Sequence, residues 1–162
     1  MKKDTVVCRD RHGNAEEVAV DVLEPRASVY GVIVKDDKVL LSREWDGYDF
    51  PGGGIDKGET FDEALEREVR EETGINVKRD KLLHATTNFF KTSSGRFLQG
   101  HLIYYRCDYV SGDISTEWLT DEEKEFMQAA EWVPLDSLKK IAFYNAVDSE
   151  ALIHMAIEGK GV

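Results

Sequence analysis

Residues 53 to 75, reading GGIDKGETFDEALEREVREETGI, constrain the fold of this chain more than any other stretch. Gly52, Gly53 and Gly54 follow Pro51, a second turn falls at Lys57-Gly58, and a strongly helical run begins after it. Thr60 can cap that helix, and Glu63 three residues later completes a capping box. Gly74, after Thr73, has the freedom a left-handed stop requires. A helix is therefore predicted from about Phe61 to Thr73. At about 100° per residue, Phe61, Ala64, Leu65 and Val69 share one apolar sector. Glu68 and Glu72 fall inside that sector and Glu71 on its edge, while Asp62, Glu63, Glu66, Arg67 and Arg70 take the wet side. A helix that needed only solubility would keep all its carboxylates on the wet side.

Carboxylates turned towards a core repel one another and resist desolvation unless a counter-charge lies between them. The simplest counter-charge is a divalent cation. Oxygen ligands without interspersed His or Cys favour a hard ion, Mg2+ or Mn2+, over zinc. Mg2+ keeps part of its water shell and works with phosphate substrates, and a glycine-rich turn beside it lets backbone groups approach phosphate or metal closely.

The same residues carry a family resemblance. The segment resembles, position for position, the signature of the Nudix hydrolases, G-x5-E-x7-R-E-U-x-E-E-x-G-U with U aliphatic. Gly53, Glu59, Arg67, Glu68, Val69, Glu71, Glu72, Gly74 and Ile75 fill it. The resemblance implies that Glu68, Glu71 and Glu72 bind the divalent metal, that Gly52 adds a backbone carbonyl, and that Glu68 is the general base in some members. It implies a bracing role for the Glu59 and Arg67 pair. One more carboxylate comes from downstream in several members; Glu131, just before Trp132, resembles that position, with Glu117 and Glu122 as rivals.

At 162 residues, 41% hydrophobic and 33% charged, the chain is sized for one domain with a real core, spanning 1–162. No apolar run approaches the roughly 20 residues of a membrane span, and no signal-peptide pattern opens it. Cys8 and Cys107 lie far apart and outside any CxxC, as expected for reduced packing residues in a cytoplasmic protein. The net charge of −11 argues against a nucleic-acid polymer as partner. Small phosphorylated ligands remain compatible, because a bound metal reverses the local sign.

Along the chain, residues 4–10 and 15–22 suggest an N-terminal hairpin, an extension within residues 1–25 that covers the sheet or pairs with a second subunit. Pro25 marks a junction. Ala27 to Val34 reads as a buried strand, and Asp36-Asp37 turns it into Lys38 to Ser42. Trp45 and Tyr48 precede the glycine turn and can stack on a base. Two strands, Leu82 to Phe90 and Phe97 to Tyr109, flank a loop where Arg96 can meet phosphate. His84 and His101 have no metal-ligand spacing. Val110 to Glu125 is acidic and reads as loop plus short helix. A strand follows at Ala129 to Val133, a helical turn from Asp136 to about Lys140, and a last helix from near Asn145 to Gly159. The expected fold is α+β, a mixed sheet between helices. The resemblance implies the same, a Nudix-type α/β/α sandwich with residues 53–75 as a loop, helix and loop.

The function expected is Mg2+-dependent hydrolysis of the diphosphate linkage in a nucleoside diphosphate-X substrate. The resemblance favours a (d)NTP or its oxidised form, split to the monophosphate and pyrophosphate, since the chain lacks the markers of other branches: its prolines are only Pro25, Pro51 and Pro134. Asn145 resembles a base-reading residue of that class and can equally be a helix cap. The alternatives are an ADP-ribose-like nucleotide-sugar pyrophosphatase, a catalytically silent nucleotide sensor, and an isomerase of a diphosphorylated lipid precursor. A homodimer is the assembly the resemblance implies.

Overall fold

The computed structural model describes residues 2–159, so Met1 and residues 160–162, at the ends of the expected domain, lie outside the described residues. The chain opens with strands β1 (Thr5–Arg9) and β2 (Ala15–Ala19), the expected hairpin. Its turn is tied by Asp10, whose Oδ1 accepts from the backbone N–H of His12 and of Asn14 at 2.9 Å each. A short 3-10 turn, Val20–Val22, leads into β3 (Glu24–Lys35). Pro25 lies inside that strand rather than at a junction, near its start, where a missing N–H costs little. Asp36 and Asp37 adopt φ of 50° and 57°, as a tight hairpin turn requires, and pass the chain into β4 (Lys38–Glu44). The short strands β5 (Gly47–Asp49) and β6 (Gly52–Gly54) precede helix α1 (Phe61–Thr73). Then come β7 (Asn76–Lys91), β8 (Phe97–Ser111), β9 (Met127–Pro134) and helix α2 (Ser149–Ile157).

The strands run in the order β2-β1-β7-β8-β3-β4-β5, with β6 paired to β3 and β9 to β4. β3 and β8 are parallel over ten residue pairs and the β7–β8 and β4–β9 pairs antiparallel, so the sheet is mixed. Alternation along β3 explains why this segment is apolar throughout. Val29 and Ile33 pack with Ala64, Leu65 and Val69 of α1, while Val32 packs on the other face with Leu152, Ile153 and Ala156 of α2. Two cores on opposite faces of one sheet make the α/β/α sandwich. Cys8 and Cys107 are buried and free, as expected.

Three expectations need correction. Phe61, placed in the apolar sector, is 46% exposed. The last helix begins at Ser149, capped by Asp148 through a 3.0 Å bond from the Ala151 N–H, so Asn145 is not its cap. The acidic stretch after β8 holds only a single 3-10 turn, Glu123–Glu125.

Candidate active site

Helix α1 starts and stops as its sequence requires. Thr60 accepts from the Glu63 N–H, the Glu63 carboxylate takes the Thr60 N–H at 2.8 Å, and Gly74 stops the helix at φ 79°. The register fixed by those ends turns Glu72 inward until it is 7% exposed. Ser42 Oγ donates to Glu72 Oε2 at 2.6 Å, and the Gly52 N–H donates to the same oxygen at 3.2 Å. Burial, ahead of the charges of Glu44 and Glu68, pushes the Glu72 carboxyl well above the usual carboxylate range. The Glu68 side chain is 14% exposed and its carboxyl is raised too, again mainly by burial.

Arg67 holds this arrangement together. Its guanidinium grips Glu59 at 2.6 and 2.8 Å, reaches Glu68 at 2.8 Å and Glu71 at 3.3 Å, and donates to the Gly54 carbonyl at 3.1 Å. The pair with Arg67 first, and the Asp56 N–H second, brings the Glu59 carboxyl down to about 2. Helix angle alone puts Arg67 on the wet side. Its length carries the charge back over the end of the turn, and its side chain is 23% exposed.

Each of the three glycines serves a separate need. Gly52 has φ +154°, and a Cβ there would lie 2.1 Å from the Val29 carbonyl oxygen. Gly53 and Gly54 have no such φ. A Cβ on Gly53 would meet the Glu68 carboxylate at 2.7 Å, and one on Gly54 would meet the Arg26 guanidinium at 2.8 Å. Close approach, rather than backbone conformation, is what these two positions require.

Glu68, Glu72 and all three glycines line one cavity of about 870 Å3. Glu44, Asp49 and Glu123 add further carboxylates to its wall, and Trp45, Asn145 and the hairpin tip add to its rim. Asp49 is pushed up to about 8 by burial first and by the Glu44 charge second. Glu44 is raised by burial alone. The cavity thus gathers several carboxylates, Glu72 buried and Glu44, Asp49, Glu68 and Glu123 half-buried.

A family model described as the NUDIX domain matches residues 24–154. The chain belongs to the NUDIX family. It is 34% identical over 128 residues to an ADP-ribose pyrophosphatase of Methanocaldococcus jannaschii, covering 75% of this chain and 69% of that protein. It is 28% identical over 159 residues to the NAD-capped RNA hydrolase NudC of Haemophilus influenzae, covering 88% of this chain. The match spans about half of the NudC relative, 55% of its length. Among solved structures, an ADP-ribose pyrophosphatase from Streptococcus suis superposes with a TM-score of 0.64 at 18% identity, over 84% of this chain and 92% of that one, a likeness of fold. The protein is a Nudix hydrolase, an enzyme of the diphosphohydrolase class.

Of the residues singled out in the sequence, this Nudix chain brings Gly52, Gly53, Glu68, Glu72, Trp45 and Asn145 to the cavity. Glu71 stays beside it, drawn to Arg67. Glu131 is engaged elsewhere: Arg43 donates to it at 2.6 Å and the Tyr48 hydroxyl at 2.9 Å, and neither Tyr48 nor Glu131 lines the cavity. Arg96 is taken by Glu24 at 3.1 Å on the surface. Glu117 and Glu122 are exposed. Sequence reasoning missed Glu44, Asp49 and Glu123. Glu44 and Asp49 come in on β4 and β5, and only their position next to Trp45 and the glycine turn hinted at it.

Among the described residues no preformed group of three or more His, Cys, Asp or Glu is poised around a metal. The reason is local: Arg67 draws Glu68 and Glu71 to itself, and Glu72 leans on Ser42 and Gly52. The donor set still fits a hard divalent cation. Glu72, which is buried, and Glu68, whose side chain is 14% exposed, face one cavity with all-oxygen chemistry, and among the described residues no cation forms an ion pair with Glu72.

Proposed function

We propose that this chain hydrolyses the diphosphate linkage of a nucleoside diphosphate joined to a small polar group, with Mg2+ held by Glu68 and Glu72 and by Glu71 swinging in from Arg67. One observation carries this reading. Glu72 is buried against a glycine-lined cavity, with its carboxyl raised by burial and no cationic side chain among the described residues in an ion pair with it. Bound Mg2+ neutralises phosphate oxygens and lowers the pKa of its water. The chain's own groups do the rest. Gly53 gives the Glu68 carboxylate room at the turn, Glu68 takes the proton of the attacking water, and Arg67 keeps Glu68 and Glu71 aimed. Water adds to one phosphorus, the bridging P–O bond breaks, and the products are a nucleoside monophosphate and a phosphorylated remainder.

Between the candidate substrates, the relative of M. jannaschii supports an ADP-ribose-type nucleotide sugar ahead of a (d)NTP. A small substrate rather than a polymer agrees with the charge of −11. The whole chain acts as one unit in this reading, since the hairpin lines the same cavity as α1. The test is incubation with Mg2+ and a panel of ADP-ribose, other nucleotide sugars, (d)NTPs and an oxidised dGTP, followed by chromatography of the products. Release of AMP and ribose phosphate from ADP-ribose is expected. Pyrophosphate released from (d)NTPs alone would favour the second substrate class, and intact substrates throughout would refute hydrolysis.

A further inference from the structure

The chain has 32 Asp and Glu against 21 Lys and Arg, so arginines gathered at one cavity stand out against an acidic background. Arg43, Arg67, Arg79, Arg96 and Arg106 each form an ion pair. Arg9, Arg11, Arg26 and Arg70 form none among the described residues, and the first three line the cavity that holds Glu68 and Glu72. All three are exposed, so none needs a partner for the fold; what sets them apart is that they gather at the cavity that holds the glutamates.

Each of the three is held in place. Arg26 lies against the bare backbone of the turn, in the space that Gly54 leaves open: a Cβ there would fall 2.8 Å from Nη2 and 3.1 Å from Nε. Arg11 stacks its guanidinium 4.1 Å over the Trp45 ring, and Trp45 is itself stacked on Phe126 at 5.0 Å. Stacking fixes the plane of a guanidinium; the Arg11 Nε donates to His12 Nε2 at 3.0 Å, and its Nη groups are the ones that can turn to a ligand. Arg9 donates to the Gly13 carbonyl across the hairpin turn at 3.3 Å. Arg9 and Arg11 belong to the hairpin, before the first residue that the NUDIX model matches.

We propose that Arg9, Arg11 and Arg26 form an anion-binding wall facing the metal-binding glutamates, so that the phosphates of a nucleoside diphosphate are held between them. The N-terminal hairpin is then a specificity element that completes the substrate site within its own subunit. This inference rests on the hydrolase reading above and adds which side chains grip the substrate.

The test compares wild type with the double variant Arg9→Ala/Arg11→Ala and with Arg26→Gln, using ADP-ribose for kinetics and ADP with Ca2+ for binding by tryptophan fluorescence. The expected loss falls on KM, at least tenfold in each variant, with kcat reduced no more than about threefold. ADP affinity should fall in parallel, and KM should rise less steeply with ionic strength than in wild type. Arg26→Lys should restore only part of the affinity, because the charge returns without the fork. Unchanged KM and unchanged ADP binding in variants of normal melting temperature would overturn the wall while leaving the hydrolase reading intact. Wild type that binds ADP through these arginines but hydrolyses nothing would sink the hydrolase reading instead. Wild type that binds no ADP would overturn the wall.

Discussion

Glu72 is an ionisable group kept nearly dry: the helix register turns it inward, and Ser42 and the glycine turn hold it there. Glu72→Gln keeps the bonds from Ser42 and Gly52 while removing the charge, so kcat should fall about a thousandfold or more with the melting temperature unchanged or raised. Steady-state kinetics and thermal melts check this. Arg67→Lys keeps a charge but cannot hold Glu59 in a fork while reaching Glu68, so activity should drop about 10–100-fold, as for residues that orient metal ligands. Added Mg2+ should recover part of the loss, which a titration at fixed substrate reads out. The inward glutamates were legible because a 3.6-residue period assigns faces without any knowledge of neighbours. Arg67 was misread on the same grounds, since period says where a Cβ points and nothing about where a long side chain ends. The resemblance gave Glu131 the place of a further metal carboxylate, and the cross-strand partner that takes it, Arg43, lies 88 residues away.

At the scale of elements, the glycine turn makes a sharp prediction. Gly53→Ala needs no unusual φ, so the fold should survive, yet its methyl displaces the Glu68 carboxylate and activity should fall at least tenfold. Gly52→Ala faces both a positive φ and the Val29 carbonyl, so it should destabilise by about 3 kcal/mol or more. Denaturant melts and activity assays of the two variants separate the roles. Elements with local punctuation were readable: the capping box and Gly74 bounded α1, and Asp36-Asp37 marked the β3–β4 hairpin. The start of α2 was not, because Asn145 and Asp148 are both capping residues. Short-range bonds decided between them: Asp148 accepts from the Ala151 N–H at 3.0 Å, while Asn145 accepts from Ser149 Oγ at 2.8 Å. Pro25 was read as a break, although near its start a long strand accommodates it.

The cavity belongs to the whole molecule, since its walls come from the hairpin, β3, β5, the glycine turn, α1 and the 3-10 turn at Glu123. No local pattern could bring Asp49, Glu44 and Glu123 to Glu68, which is why sequence reasoning placed the chemistry but not its surroundings. That shared space makes stability depend on pH in a defined direction. Asp49, raised to about 8 mainly by burial, binds its proton more tightly in the folded chain than unfolded. Its contribution is therefore fully present below about pH 4 and is lost as pH rises towards 8. In metal-free buffer, wild type should lose melting temperature between pH 5 and 8 relative to Asp49→Asn; parallel curves would remove Asp49 from the account. The central claim, that Glu68 and Glu72 together hold a divalent cation over the diphosphate, is met most directly by calorimetric titration of Mg2+ into protein saturated with a methylene-bridged, non-hydrolysable ADP-ribose analogue. Wild type should bind Mg2+ saturably, and both Glu68→Gln and Glu72→Gln should weaken that binding at least tenfold; Mg2+ isotherms in the two variants identical to wild type would contradict it.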